Sequence, residues 1–327
     1  MVCLAPFSGF IYRQALAHYV KQLQSLDPFQ DYPLKHLDNA IQEAIDRGLL
    51  EPIDHLNPDL LTIQPVFPYY LKTKLQDLPS KTQAALQVGF KNHYRGLASD
   101  HAQLMISKKP QERQMGIAFC RWEYENLYHA LETCLAQQES VRILFCLDKY
   151  LELINDWQQG LQLAKFVSQQ IANYPPEFLA SANGGDVMIV MDRLAKRYLL
   201  TQDYAQARAT YKRELQLIPQ IDCLDDRQKG LAQASTYHQL GWVAQELHEF
   251  EVARQNYQQA LQIKIEFNDR YEQASTYGQL GLLAEAEGNN SEAEANLQQA
   301  LAIFVEFGDE YKAEMTRRNL ARIADNL

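Results

Sequence analysis

An internal repeat of 40 residues constrains the fold of this chain more than any other feature of its sequence. The stretch ASTYHQLG begins at Ala234 and ASTYGQLG begins at Ala274, and the 40-residue copies that start there are identical at 19 of 40 positions. Repeats of roughly 20 to 50 residues are typical of solenoids, in which each unit buries its apolar face against the next. The repeat therefore predicts a stack of similar units rather than one closed core.

Each copy contains two apolar stripes at helical spacing. In the first copy, with a break at residues 248–249, the stripes are Tyr237, Leu240, Gly241, Ala244 and Leu247, and then Ala253, Tyr257, Ala260, Leu261 and Ile265. Apolar residues at this spacing mark one face of an amphipathic helix. We therefore predict a helical hairpin in each copy, with Gly241 at the point where its two helices touch.

The hairpin pattern resembles the tetratricopeptide repeat, W-x2-L-G-x2-Y…A-x3-F…P. Here it is YHQLGWVA from Tyr237 and ARQNY from Ala253, and an earlier copy is MDRLAKRY from Met191 and ARATY from Ala207. We expect the stretch RRNLARIA from Arg317 to form a lone last helix. The resemblance implies a mainly α fold, with a right-handed α-solenoid of hairpins over residues 181–327 that ends in a capping helix.

The first helix of each hairpin carries a further stripe of residues beside the core stripe. The residue types in this stripe differ between the copies, although those in the core stripe are largely the same. In tetratricopeptide solenoids the first helices line the concave surface, so the resemblance implies that this stripe contacts a protein or peptide ligand. Its residues are Ser235, His238, Trp242, Gln245 and Glu246, then Ser275, Leu282 and Glu285 one copy later, and Asp192 and Lys196 one copy earlier. An alternative stays open, in which Trp242 packs on a neighbouring helix and His238 is a solvated surface residue.

Residues 1–78 predict a small domain of a different kind. Helices over Ser8–Leu23 and Leu34–Arg47 are followed by two short apolar runs, Leu49–Ile53 and Leu60–Gln64, which flank a polar turn at His55–Asp59. Two such runs around a turn predict a β-hairpin. Two helices followed by a hairpin are the layout of a winged helix.

The charges argue against DNA binding by this domain. Leu34–Arg47 carries two Lys or Arg and three acidic residues, and the whole chain has 31 basic and 41 acidic residues, a formal charge of −10. A helix that enters a DNA groove needs cations to neutralise phosphates. We therefore expect no nucleic acid partner, and a DNA-binding regulator is the weaker alternative.

The order of these parts has a second family resemblance. A winged helix, the pattern E-x-x-N-L-x-x-A-L at Glu123–Leu131 and tetratricopeptide repeats resemble the C-terminal arm of bacterial STAND signalling NTPases. Where that family has a Met-His-Asp motif the chain has Ile63, Gln64 and Pro65, and it contains no G-x-x-x-x-G-K-[ST] loop. The resemblance implies a sensor arm without the NTPase module, which would act in cis or in trans.

No pattern in the chain predicts an enzyme, a cofactor or a metal site. H-E-x-x-H, G-x-S-x-G and G-x-G-x-x-G are absent, and the five cysteines include no C-x-x-C pair. Cys120, Cys134 and Cys146 have apolar neighbours, which predicts buried structural thiols. Few cysteines and the lack of an apolar run of roughly 18 residues predict a cytoplasmic protein with no membrane partner.

We therefore predict three parts: a winged-helix-like domain over residues 1–78, a helical linker or degenerate repeat block over 79–180, and the solenoid over 181–327. The predicted function is a protein-interaction or ligand-sensing module, the sensor arm of a STAND-type protein. A free-standing adaptor that bridges partners is the alternative.

Overall fold

The computed structural model describes residues 1–54 and 57–325 and consists mainly of α-helices. The chain divides into two compact units, Met1–Ala172 and Asn173–Leu327. Within the described residues, every helix is too short or too polar to cross a membrane. The division at residues 78 and 180 stays a prediction.

The first unit begins with a small antiparallel sheet and three helices. The strands are β1 (Phe10–Tyr12), β2 (Leu50–Asp54) and β3 (Asn57–Ile63), and the helices are α1 (Leu16–Gln24), α2 (Leu37–Asp46) and α3 (Val66–Gln76). Strand β3 lies in the centre and pairs with both others. The predicted hairpin is confirmed, but β3 begins at Asn57, within the turn predicted at His55–Asp59; His55 and Leu56 lie outside the described residues.

The helix predicted over Ser8–Leu23 is wrong in its first half. Phe10–Tyr12 forms β1, and α1 begins only at Leu16. Phe10 and Ile11 are buried because β3 pairs with them, Ile11 lying opposite Leu61. This pairing overrides the local helical spacing.

Five more helices complete the first unit. They are α4 (Ser80–Ile106), α5 (Pro110–Trp122), α6 (Tyr124–Ala136), α7 (Ile143–Leu153) and α8 (Trp157–Ile171). Helix α4 packs against α1, α5, α6 and α7 and is the centre of this block. Cys120, Cys134 and Cys146 are buried thiols, as predicted, and the Sγ atoms of Cys120 and Cys146 lie 3.8 Å apart.

Asn126, from the E-x-x-N pattern, joins the sheet to this helical block. Its side chain is fully buried. Its Oδ1 accepts a hydrogen bond from the Ser8 amide at 2.7 Å, and its Nδ2 donates to the Phe10 carbonyl at 2.9 Å. The same Nδ2 donates to Glu123 Oε2 at 2.8 Å, and the Tyr94 hydroxyl donates to that oxygen at 2.7 Å. One amide side chain therefore satisfies the backbone on both sides of the start of β1.

Glu123 makes this cluster sensitive to pH. Burial raises the pKa of the Glu123 carboxyl to about 7, although hydrogen bonds from Asn126 and Tyr94 act in the opposite direction. A carboxyl whose pKa is higher in the folded than in the unfolded chain stabilises the fold at low pH, and this contribution is lost as the pH rises through the folded pKa. As the pH rises from about 5 to about 7, we expect the free energy of unfolding to fall by about 2 kcal/mol because of Glu123.

Urea titrations of the wild type and of Glu123→Gln over this pH range test the expectation. Gln keeps a carbonyl oxygen that accepts both hydrogen bonds but does not titrate, so the variant should lack this part of the pH dependence. Equal pH dependence in the two proteins would contradict it.

The second unit is a solenoid of helical hairpins, as predicted. A short helix, α9 (Glu177–Ala180), precedes the pairs α10 (Asp186–Leu200) and α11 (Tyr204–Leu217), α12 (Asp226–Glu246) and α13 (Phe250–Glu266), and α14 (Arg270–Ala286) and α15 (Asn290–Glu306), and then α16 (Glu310–Asp325). From α10 onward, each helix packs against the next one along the chain.

The glycines of the repeat lie where the two helices of a hairpin touch, as predicted. A Cβ atom at Gly241 would lie 2.6 Å from the Tyr257 ring. A Cβ at Gly281, one copy later, would lie 2.7 Å from Leu297 Cγ. Only a residue without a side chain allows α12 and α13, or α14 and α15, to approach this closely.

Two positions assigned to the core stripes are wrong. Leu247 and Ile265 are 37 % and 52 % exposed. Leu247 follows the last residue of α12, and in α13 the buried positions near the end are Ile263 and Lys264. Burial of Lys264 is possible because its Nζ donates to Thr276 Oγ1 at 2.9 Å, and burial lowers its pKa.

Polar contacts between the hairpins join residues about one repeat apart. Arg254 of α13 forms ion pairs with Glu287 and Glu292 of the next hairpin. The Tyr271 hydroxyl donates to Asp309 Oδ2 at 2.7 Å, from α14 to the residue before α16. Each hairpin is therefore held by its immediate neighbours along the chain.

Candidate functional site

A cavity of about 340 Å³ lies where α10, α11 and α12 meet. Its lining residues are Met188, Ile189, Asp192, Lys196, Tyr211, Glu214, Ala232, Ser235, Thr236 and Gln239. We call it the first cavity. Three residues of the predicted stripe, Asp192, Lys196 and Ser235, are brought together here.

The first cavity has polar groups at its buried side. Glu214 is only 5 % exposed and Tyr211 only 1 %. Burial raises the pKa of the Glu214 carboxyl to about 8, and the charge of Asp192 adds to this, whereas Lys196 and a hydrogen bond with Thr236 act in the opposite direction. Lys196 Nζ forms its ion pair with Asp192 Oδ2 at 2.9 Å.

The Tyr211 hydroxyl is the most unusual of these groups. Its oxygen is buried and has no hydrogen-bond partner among residues 1–54 and 57–325. A buried hydroxyl without a partner destabilises a fold by about 1–3 kcal/mol. Groups of this kind in native structures call for an explanation, such as a role in binding.

A second cavity of about 350 Å³ is lined mainly by α14, α15 and α16, and α12 contributes His238 to it. Its lining residues are His238, Ala274, Ser275, Gly278, Gln279, Leu282, Leu297, Phe304, Tyr311, Lys312, Met315, Thr316 and Asn319. We call it the second cavity. It contains three more residues of the predicted stripe, His238, Ser275 and Leu282, and is more apolar than the first.

His238 and Lys312 are both held by aromatic neighbours. The His238 ring contacts the Tyr257 ring edge-on at 5.4 Å between centroids, and burial, with Lys264 nearby, lowers its pKa to about 4. It is therefore neutral at pH 7. Lys312 Nζ lies 4.6 Å from the centroid of the Tyr271 ring, a cation–π contact.

Trp242 lies outside the lining of both cavities. Its indole is partly buried and packs against a core cluster that consists of Ala244, Ala253, Tyr257, Leu280 and Leu283. This packing corresponds to the alternative stated for Trp242 above. Ligand contact by its exposed part stays a prediction.

The other three stripe residues are held by intramolecular hydrogen bonds near the ends of the first helices. Gln245 Oε1 accepts from the Tyr257 hydroxyl at 3.1 Å, and Glu246 accepts from a tyrosine hydroxyl of α11 at 3.3 Å. Glu285 accepts from the Arg322 guanidinium at 2.7 Å. These residues also lie outside the lining of the two cavities, so their contact with a ligand stays a prediction.

The sequence analysis missed Tyr211 and Glu214, which lie on a second helix rather than on a first. Tyr211 was assigned only as the aromatic of the repeat pattern. Ala207, Tyr211, Glu214 and Ile218 follow each other at spacings of four, three and four. An acidic residue within such an apolar stripe was the available signal for a buried carboxyl.

Comparison with known families identifies the repeats. Residues 233–266 and 274–304 each match a tetratricopeptide repeat model. These ranges correspond to the hairpins α12/α13 and α14/α15. The chain therefore contains tetratricopeptide repeats, which make this part of it a protein-interaction module. No curated protein matches the sequence.

Several solved structures are similar to the chain at low sequence identity. The apo form of RapI superposes with a TM-score of 0.52 at 11 % identity, over 94 % of this chain and 71 % of that one. BtubC from P. vanneervenii has a TM-score of 0.44 at 18 % identity, over 67 % and 92 %. A STAND protein with a tetratricopeptide repeat sensor from Pyrococcus horikoshii has 0.42 at 14 %, over 99 % and 47 %. At these identities, the similarity to RapI shows the fold alone.

Proposed function

We propose that the second unit binds an extended peptide, or an extended segment of a partner protein, along its two cavities. The observation that carries the proposal is that one helix, α12, contributes residues to both cavities, among them Ser235 to the first and His238 to the second. Each cavity contains three residues of the stripe that varies between copies. Tetratricopeptide repeats are protein-interaction modules, which supports a polypeptide as the occupant. We assign no catalytic role to the site.

The width of α12 sets the minimum length of such a ligand. A helix with its side chains is about 10–12 Å across, and an extended peptide advances about 3.3 Å per residue. At least about three residues are therefore needed to cross α12, and one further residue at each end enters a cavity. We expect the bound segment to have at least about five residues.

We also propose that the chain is the sensor arm of a STAND-type signalling protein. Supporting this, the first unit has two helices before a hairpin and a third, edge strand that pairs with the hairpin, an arrangement that resembles a winged helix. Its E-x-x-N pattern joins this part to the helices that follow. An NTPase module encoded next to this chain in the same reading frame would support the proposal. If no such module occurs there or as a partner in trans, the adaptor alternative is favoured.

Peptide selection tests the binding proposal. A random dodecapeptide library displayed on phage is selected on the intact chain, and the affinities of the selected peptides are measured by fluorescence anisotropy. We expect Ser235→Trp, which fills the first cavity from an exposed position, and Leu282→Arg, which places a charge in the second, to weaken binding by about tenfold or more.

Gln262→Trp is the matched control, because Gln262 is exposed on α13 and lines neither cavity. Its affinity should equal that of the wild type, and thermal unfolding should be similar for Ser235→Trp and Gln262→Trp. Peptides that bind all of these variants equally well would place the binding site elsewhere and overturn the proposal.

A further inference from the structure

The first cavity contains two buried acceptors that face an open space. The Tyr211 hydroxyl has no partner in the described part of the chain, and the Glu214 carboxyl is buried beside it on α11. The Lys196 ammonium is engaged by Asp192. The Tyr211 hydroxyl therefore has hydrogen-bonding capacity that the described chain leaves unused, beside a buried carboxyl and in a cavity large enough for one long side chain.

The composition of the lining decides which ligand group fits. An anionic group would be repelled by the Asp192 carboxylate, and the Lys196 ammonium that could attract it is already engaged by Asp192. An apolar group would leave the Tyr211 hydroxyl unsatisfied, at the cost given above. A cation with several N–H donors satisfies the hydroxyl oxygen and the carboxylates together. Met188 and Ile189 in the lining offer apolar contact to the methylenes of a long side chain.

We propose that the first cavity binds the cationic side chain of an arginine or lysine in the bound peptide, with Glu214 as its counter-charge and Tyr211 as a second acceptor. Asp192 completes the acceptors at the more exposed side of the cavity. This inference rests on the proposed function, because the cation is delivered by a peptide that follows the two cavities.

The protonation state of Glu214 gives a second way to detect binding of the cation. Its pKa of about 8 means that the carboxyl is mostly protonated at pH 7 in the empty cavity. The charged groups near it are Asp192 and Lys196 on α10, and the lining residues of α12 are uncharged. A bound cation favours the carboxylate, so binding releases a proton to the solvent. Calorimetric binding enthalpies should therefore vary with the ionisation enthalpy of the buffer.

Peptide pools with one fixed residue test the inference. Fluorescent heptapeptide pools carry random residues around a central arginine, lysine, citrulline or glutamate, and citrulline is the neutral isostere of arginine. We expect the arginine and lysine pools to bind the intact chain about tenfold or more tightly than the citrulline pool, and the glutamate pool to bind most weakly. Free agmatine, a guanidinium without a peptide, should bind more weakly than the arginine pool.

Three variants test which residues cause the preference for the arginine and lysine pools over the citrulline pool. Glu214→Gln should remove it, together with the proton release. Tyr211→Phe should reduce the preference and leave the stability equal or higher, because the unpartnered hydroxyl is removed, so this variant remains informative if Glu214→Gln fails to fold. Gln279→Ala, in the second cavity, is the control and should keep the preference.

The outcomes separate the inference from the function on which it rests. If the pools bind but do not discriminate arginine from citrulline, the cation site is wrong and peptide binding stands. If no pool binds, both are wrong. If the preference is unchanged in Glu214→Gln and in Tyr211→Phe, the cation lies in another place and the inference falls. Equal affinity for agmatine and for the arginine pool would indicate a free small cation and would overturn the assignment to a peptide.

Discussion

Asn126→Ala is expected to lower the free energy of unfolding of the first unit by about 4 kcal/mol, because a half-buried amide and a buried carbonyl of the backbone lose the side chain that bonds to them. The amide of Ser8 and the carbonyl of Phe10 both bond to this one side chain, and Glu123 loses a donor as well. Each unsatisfied buried group costs about 1–3 kcal/mol, and alanine also leaves a small cavity.

Urea denaturation gives the stability, and hydrogen exchange locates the change. The Ser8 amide donates to Asn126, so its exchange should accelerate sharply in the variant, and the amides of β1 should follow. Tyr94→Phe is the matched control in the same cluster: it removes one hydrogen bond to Glu123, with an expected loss of about 1 kcal/mol. Unchanged exchange at Ser8 in Asn126→Ala would mean that Asn126 does not anchor the sheet.

Gly241→Leu is expected to destabilise the second unit by about 3 kcal/mol, because it inserts a side chain between two helices that are in contact. The first added carbon would already lie 2.6 Å from the Tyr257 ring, which is itself fully buried and cannot move into solvent. Either the ring must leave its rotamer or α12 and α13 must separate. Both changes would reach the next hairpin, because Tyr257 packs in a cluster with Leu280 and Leu283 of α14.

Gly278→Leu is the control for this substitution. Gly278 lies within the neighbouring helix α14, and a Cβ there would have no heavy atom within 4 Å. Replacing an unhindered helical glycine removes its entropic cost, so this variant should be as stable as the wild type or more stable by up to about 1 kcal/mol. Hydrogen exchange of the α12 and α13 amides over a series of urea concentrations reports the unfolding of this unit. If the two leucine variants unfold at the same urea concentration, the close contact assigned to Gly241 is wrong.

The solenoid was predictable because the sequence pattern of each hairpin is local and occurs more than once. Tyr237, Leu240 and Gly241 recur 40 residues later, so the helical spacing and the point of close contact were each given twice. The start of the chain lacked such support. The strand over Phe10–Tyr12 exists because of a partner strand that follows two helices later, and nothing in its own spacing distinguishes it from the first turn of α1.

The candidate site was predictable only in part, because cavities depend on how helices pack. Ser235 and His238 differ by three positions, yet one faces the first cavity and the other the second. Glu214 becomes a site residue only when α10 and α12 enclose it. Trp242 was assigned to the same stripe as these residues, but its large indole extends onto the core cluster, a contact that helical spacing alone does not reveal.

The short reach of the contacts between hairpins bears on how such a protein can change its length. Arg254 contacts the next hairpin and Tyr271 the loop before α16, and up to residue 325 the main packing of each helix is against its neighbours along the chain. Duplication of the 40 residues from Ala234 to Gln273 would give the new copy neighbours like those that the present copies already have. The unit can therefore grow by whole hairpins, and each added first helix would bring its own set of exposed positions for binding while the core residues are reused unchanged.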